Sequence, residues 1–146
     1  MQLNRSTDYA IQMLLYLAKV GKTVSSSKLA AAMGVSHRYL LQISAKLRAA
    51  GFIRAAHGSS GGLKLDKAPE EISLYDIILS MEGAVRTGEI CGSPALEIKQ
   101  EIATLERMYH SVDGMLGQAL RKIMLSDLLV KTEIWKESFG SDKEII

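Results

Sequence analysis

Arg38, Gln42 and Lys46 recur every four residues, so a helix through them carries a guanidinium, an amide and an ammonium along one face. A guanidinium can make paired hydrogen bonds to a guanine edge and an amide can do the same to an adenine edge, whereas an ammonium suits a phosphate. Ser36, His37 and Tyr39 stand in the first turn of the same segment, and Lys28 lies on the segment before it. No acid falls anywhere between Lys28 and Arg54. A solvated helix face is the competing reading for each residue taken alone. As an acid-free set they read as a surface for a polyanion.

The elements that must hold this set are helical. Leu40, Ile43, Leu47 and Ala50 repeat on the other side of the segment, Ser36 can cap its start, and Gly51 ends it. Before it, Ser25, Ser26 and Ser27 each offer an N-cap, and Ser27 begins a short helix containing Leu29, Ala30 and Met33, closed by Gly34. A longer helix from Thr7 to Val20 places Tyr9, Met13, Leu14, Leu17 and Ala18 on one stripe and stops at Gly21. Two short helices about a glycine turn, backed by a support helix, make a helix-turn-helix, which presents the first turns of its second helix to the major groove.

After Gly51, Phe52–Arg54 and Leu63–Leu65 read as two strands of a hairpin. The loop between them holds His57, Ser59, Ser60 and Gly61, with glycines whose backbone amides can approach a phosphate closely. Such a loop also serves as a plain hairpin turn. Its place directly after a recognition helix makes it a wing, with Arg54 on the strand leading into it.

Charge supports this division of labour. Residues 1–66 carry nine Lys or Arg against two acids, a balance of +7, and residues 67–146 balance at −5. The chain of 146 residues suits one globular unit with an appendage. It has no apolar run of membrane-spanning length and no signal-peptide pattern at its start, which predicts a cytoplasmic protein with no membrane partner. Its single cysteine, Cys91, excludes an intrachain disulfide and an all-cysteine metal site within one chain. No Ser/His/Asp arrangement, metal-ligand spacing or phosphate loop between a strand and a helix points to an enzyme.

Residues 5–18 (RSTDYAIQMLLYLA), 39–53 (YLLQISAKLRAAGFI) and 57–83 (HGSSGGLKLDKAPEEISLYDIILSMEG) together resemble the Rrf2 family of bacterial transcription regulators. The resemblance runs through about the first 83 residues. It implies a short helix over residues 72–83 capped by Ser73, a long dimerisation helix beyond it, and a repressor that binds double-stranded DNA. Two positions depart from the family pattern: His57-Gly58 stands where Arg-Gly is common, and Leu41 stands where a Glu often accompanies the Gln. Base preference is therefore expected to be this chain's own.

The C-terminal half carries an apolar stripe from Leu96 through Ile102, Leu105, Met108, Tyr109, Val112, Met115, Leu116 and Leu120 to Ile123. A helix that long has no core of its own, so the stripe is expected to meet its mate in a homodimer and set two recognition helices on a palindromic operator. The competing possibility is that it folds back on its own winged unit. The fold expected is mainly α with a small β-hairpin wing: a winged helix-turn-helix over residues 1–83, a loop over 84–95 carrying Cys91, a dimerisation helix over 96–130 and a tail over 131–146.

In the resemblance, Cys91 stands where the first of three cluster-binding cysteines would be, and Asp8 where some relatives supply a carboxylate. The other two cysteines are absent, and His110 does not replace them, so no cofactor is expected. Cys91 is left as an inert filler, a redox-sensitive thiol, or part of an unusual metal site with Asp8; a small effector is a further possibility. Two other functions compete: a winged-helix regulator of the MarR or ArsR type, and a winged helix that binds protein in place of DNA.

Overall fold

The structure, a computed structural model, describes residues 1–129. Five α-helices run in order as α1 (Arg5–Val20), α2 (Ser26–Met33), α3 (His37–Ala49), α4 (Leu74–Glu82) and α5 (Lys99–Arg121). Between α3 and α4 lies one antiparallel hairpin, β1 (Ile53–Ala56) and β2 (Gly62–Leu65), which pairs Ile53 with Leu65 and Ala55 with Leu63. Mainly helical with a hairpin wing and a long C-terminal helix, the fold is the class expected. No helix among the described residues is long and apolar enough to cross a membrane.

The boundaries follow from local chemistry. The Ser25 side chain accepts from the Lys28 amide at 3.2 Å, so α2 starts one residue earlier than a Ser27 start implies. Ser36 accepts from Tyr39 N at 3.1 Å and Ser73 from Asp76 N at 3.1 Å, both as expected. A serine cap of this kind stabilises its helix by about 1 kcal/mol. At the other end of α2, Gly34 adopts φ 67°, the left-handed conformation that closes the helix and turns the chain.

The core is built around α1. Ala10, Met13, Leu14 and Leu17 are fully buried and meet Leu29 of α2, Leu40, Ile43 and Leu47 of α3, Leu63 of β2, and Ile77 of α4 in one cluster. Helical periodicity in α3 then leaves its other face to solvent.

The last helix departs from the expected span of 96–130. A single 3-10 turn covers Leu96–Ile98, and α5 ends at Arg121. There the chain reverses: Leu125 N donates to Ile72 O at 2.7 Å, and Leu74 N donates to Ile123 O at 2.9 Å. The reversal carries Leu125, 0% exposed, into the core of the winged unit, where a continued helix would leave it in solvent. That unit is accordingly not closed at residue 83 but completed by residues 123–125. The expected end of the helix at 130 and the tail over 131–146 lie outside the described residues.

Glycine and aromatic contacts fix how α5 lies on α4. Gly117 is buried, and a methyl there would meet the Tyr75 ring at 3.3 Å. The Arg121 guanidinium stacks 3.8 Å from the same ring. The apolar stripe is split by this crossing: Ile102, Leu105, Tyr109, Leu116 and Leu120 are half-buried, whereas Leu96, Ile98, Met108, Val112 and Met115 stay exposed.

Leu125→Ala should destabilise the protein by about 2–5 kcal/mol, the range for truncating a fully buried leucine. Urea unfolding followed by circular dichroism measures it. A loss below about 0.5 kcal/mol would mean that the C-terminal reversal is not part of the folding unit.

Candidate nucleic-acid interface

Turned away from the core, α3 exposes Ser36, His37, Arg38, Gln42 and Lys46. Arg38 and Lys46 have no carboxylate partner, since the one ion pair among the described residues is Arg54–Asp66 at 3.8 Å. Lys28 is exposed on α2. Tyr39 differs from the rest of the expected set. Its ring is half-buried and packs edge-on against Tyr9, with centroids 5.8 Å apart and planes at 87°, so it braces α3 on α1.

His37 is held as well as exposed. Its Nε2 lies 2.7 Å from Ser26 Oγ, a hydrogen bond between the starts of the two helices of the motif. Sequence patterning offers Ser26 as a cap and not as a partner of His37, because a partner eleven residues away on another helix leaves no periodic signal.

The wing is attached to the body at its base. Val24 N donates to Leu63 O at 2.9 Å and Leu63 N donates to Val24 O at 2.8 Å, so the segment before α2 adds a one-residue third strand. Gly62 permits it: a side chain there would collide with the Val24 carbonyl, and its φ of 153° is open only to glycine. Gly61, half-buried, has no room for a Cβ beside Ala56 O and Gly58 O, and its N–H donates to Gly58 O at 3.0 Å. The tip therefore exposes His57, Ser59 and Ser60 on a tightly wound loop.

Arg54 faces outward on β1 directly opposite Lys64 on β2. Like charges in that register repel, and Asp66 offsets the repulsion only partly because the pair is solvated. Lys64 was not among the residues singled out from the sequence, since the register that sets it against Arg54 appears only when the hairpin is built.

Cys91 is exposed in the loop between α4 and α5, with its thiol 3.8 Å from the Glu89 carbonyl. The same loop is tied to α5 at Thr87, whose N–H and hydroxyl both donate to Asp113 Oδ1 at 2.7 Å. Those two bonds, with weaker help from His110 and Arg86, hold the Asp113 carboxyl below its ordinary pKa. Asp8 lies on the exposed side of α1 and accepts from Gln12 Nε2 at 3.0 Å. Among the described residues, no three His, Cys, Asp or Glu gather where they could hold a metal ion.

Two helices about a glycine turn, a support helix and a sutured wing define a winged helix-turn-helix protein. The family model for Rrf2, described as an iron-dependent transcriptional regulator, matches residues 3–131. The chain belongs to the Rrf2 family and is a DNA-binding transcription regulator. Among solved structures, it is similar to CymR, the global cysteine regulator of B. subtilis, at 23% identity and TM-score 0.72, over 88% of this chain and 96% of that one. It is similar to T. potens IscR at 25% identity and TM-score 0.67, over 88% and 86%. The oxidized form of Staphylococcus aureus CymR matches at 30% identity and TM-score 0.66, over 90% of this chain and all of that one. The family description names iron, but a chain with one cysteine, exposed and with no gathered donors among the described residues, does not fit a cluster held by three cysteines.

A depressed Asp113 pKa means that its bonds to Thr87 hold the loop above the ordinary carboxylate range and are lost as pH falls through the lowered value. The Thr87 amide resonance should accordingly titrate with a midpoint below the ordinary aspartate value of 3.8. A midpoint at or above that ordinary value would mean that Asp113 does not hold the loop in this way.

Proposed function

We propose that the protein binds a palindromic operator as a homodimer and represses transcription from it. The exposed, acid-free face of α3 carries this reading. Arg38 and Gln42 are assigned to base edges, Lys28, Lys46 and Arg54 to phosphates, and Ser36 and His37 to the approach of the first turn of α3. Tyr39 serves by bracing α3. At the wing, His57, Ser59, Ser60 and the Gly61 backbone meet the phosphate backbone or the adjoining minor groove.

Dimer formation is supported by the uncovered part of α5. Leu96, Met108 and Met115, at 79%, 60% and 68% exposed, are an unusual cost for a lone chain, and a two-fold mate would bury all three. The mate would also set the two α3 helices about one DNA turn apart. In this reading the units are the winged body over residues 1–83 together with residues 123–125 that complete it, the linking loop over 84–95 and the dimer helix α5 between them. The protein works in the cytoplasm, with no catalytic step of its own.

The signal reaches the protein without a cluster of the three-cysteine kind. Cys91 is open to solvent, so an oxidant or a thiol reagent can reach it, and a small effector is the other source of control.

Replacing Arg38 or Gln42 with Ala should relax base preference, costing about 1–3 kcal/mol on the preferred operator and little on random DNA. Lys46→Ala should weaken both alike and lower the salt slope by about 1. Fluorescence anisotropy on operator and scrambled duplexes across a salt series reads both. Equal losses on the two duplexes for all three variants would overturn the assigned roles, and salt-independent binding would overturn the interface.

Operator release on peroxide treatment should vanish in Cys91→Ser while affinity without peroxide is unchanged. Identical release by the variant and the parent would remove the thiol as sensor.

A further inference from the structure

Within the motif and wing, residues 21–71, Leu41 is the one large hydrophobic side chain among the described residues that stands in solvent, at 44% exposed. Its setting is specific. It sits three residues after Arg38, beside Gln42, and four before the exposed Ala45, so an apolar strip runs along α3 between the side chains that offer hydrogen bonds. Ser44 Oγ, turned inward, donates to the Leu41 carbonyl at 2.9 Å, which leaves the side chain as the only group Leu41 presents outward. The remaining exposed apolar side chains of comparable size lie on α5, just before it, on α4, at the end of α1 and at Met1.

We propose that Leu41 is a specificity-determining residue that reads the 5-methyl group of thymine in the major groove, beside the base edge met by Gln42. An isobutyl group neither donates nor accepts a hydrogen bond. Of the features that the four bases display in the major groove, the thymine methyl is the apolar one. Placing Leu41 against N7, O6 or N4 would desolvate a polar edge with no partner, so this side chain selects against guanine and cytosine as well as for thymine. Gln42 and Leu41 then act together on A·T pairs, with the amide on adenine and the isobutyl group on a thymine of the same or the next pair. The inference rests on α3 entering the major groove and adds what that helix reads there.

The test removes one methyl and nothing else. The full-length protein selects duplexes from a random-sequence library, and each thymine of the best duplex is replaced singly by 2′-deoxyuridine. Binding is measured for the parent, Leu41→Ala, Leu41→Gln and Leu41→Met, whose folding is checked by thermal melting. At one or more thymines in each half-site, deoxyuridine should weaken the parent roughly fourfold, the ratio that burial of one methyl supplies. The same replacement should change binding of Leu41→Ala and Leu41→Gln by less than about 1.5-fold, while Leu41→Met keeps most of the discrimination. Insensitivity of the parent at every thymine overturns the proposal, and so does an undiminished loss in Leu41→Ala. Failure of the parent to select any sequence overturns major-groove reading by α3 itself, an outcome distinct from selection without methyl dependence.

Discussion

Burial of one stripe on α1 governs the geometry of everything outside it. Met13, Leu14 and Leu17 have essentially no exposed surface, and α1 touches α2, α3, α4 and β2. Each such side chain contributes about 1.5–3 kcal/mol by leaving water, so the three together approach the whole stability of a small domain. Because Leu40, Ile43 and Leu47 must meet this stripe, the rotation of α3 about its own axis is fixed. The direction of Arg38, Leu41 and Gln42 is then a consequence of helical pitch and needs no separate device. Tyr39 against Tyr9 adds a second point of fixation near the start of α3, where rotational error would displace the outward-facing side chains most.

A two-stranded hairpin is marginal in water, so the wing needs support that its own pairs do not supply. Val24 provides it by bonding both ways to Leu63, and Gly62 leaves room for that approach. The wing is thereby referenced to the segment that starts α2, while His37 and Ser26 tie α2 to α3. Recognition helix, its partner helix and wing form one closed set of contacts around the glycine turn. The outward pairing of Arg54 with Lys64 fits the same plan, because a repulsion tolerated in the free protein is relieved when an anion approaches.

Where burial is periodic, the sequence announced it. Both faces of α3, the support helix, the caps at Ser36 and Ser73 and the hairpin follow from spacing and residue type, and each lies within one or two residues of its expected position. Contacts between residues distant in sequence were opaque. Ser26 with His37, Val24 with Leu63 and Arg54 opposite Lys64 depend on how elements meet, and no local pattern encodes that. The end of α5 was misread for the same reason. Its apolar period continues past Arg121, yet Leu125 is taken by the core of the winged unit, and tertiary burial overrides a periodic preference. Gly117, inside the stripe, leaves room for the Tyr75 ring against α5.

That early end gives α5 two attachments to the winged body. Leu125 and the Arg121–Tyr75 stack anchor its C-terminal end to the core and to α4, and Thr87 on Asp113 ties its middle to the loop that carries Cys91. In the proposed dimer, α5 sets the distance between the two α3 helices, so a shift of α5 along its mate would change the span on DNA. The anchors decide how such a shift is transmitted. A rigid connection at Leu125 moves the winged body with α5, because the residues it packs among also hold α1 and α3. The Thr87–Asp113 link is only part-buried and rests on a single carboxylate oxygen, whereas Leu125 is fully buried, so the link is the softer of the two. A signal received at the loop would therefore alter the hold on the middle of α5 before it disturbed the C-terminal anchor. Regulation in this fold is then expected to change the relation between the two α3 helices while each recognition surface stays intact.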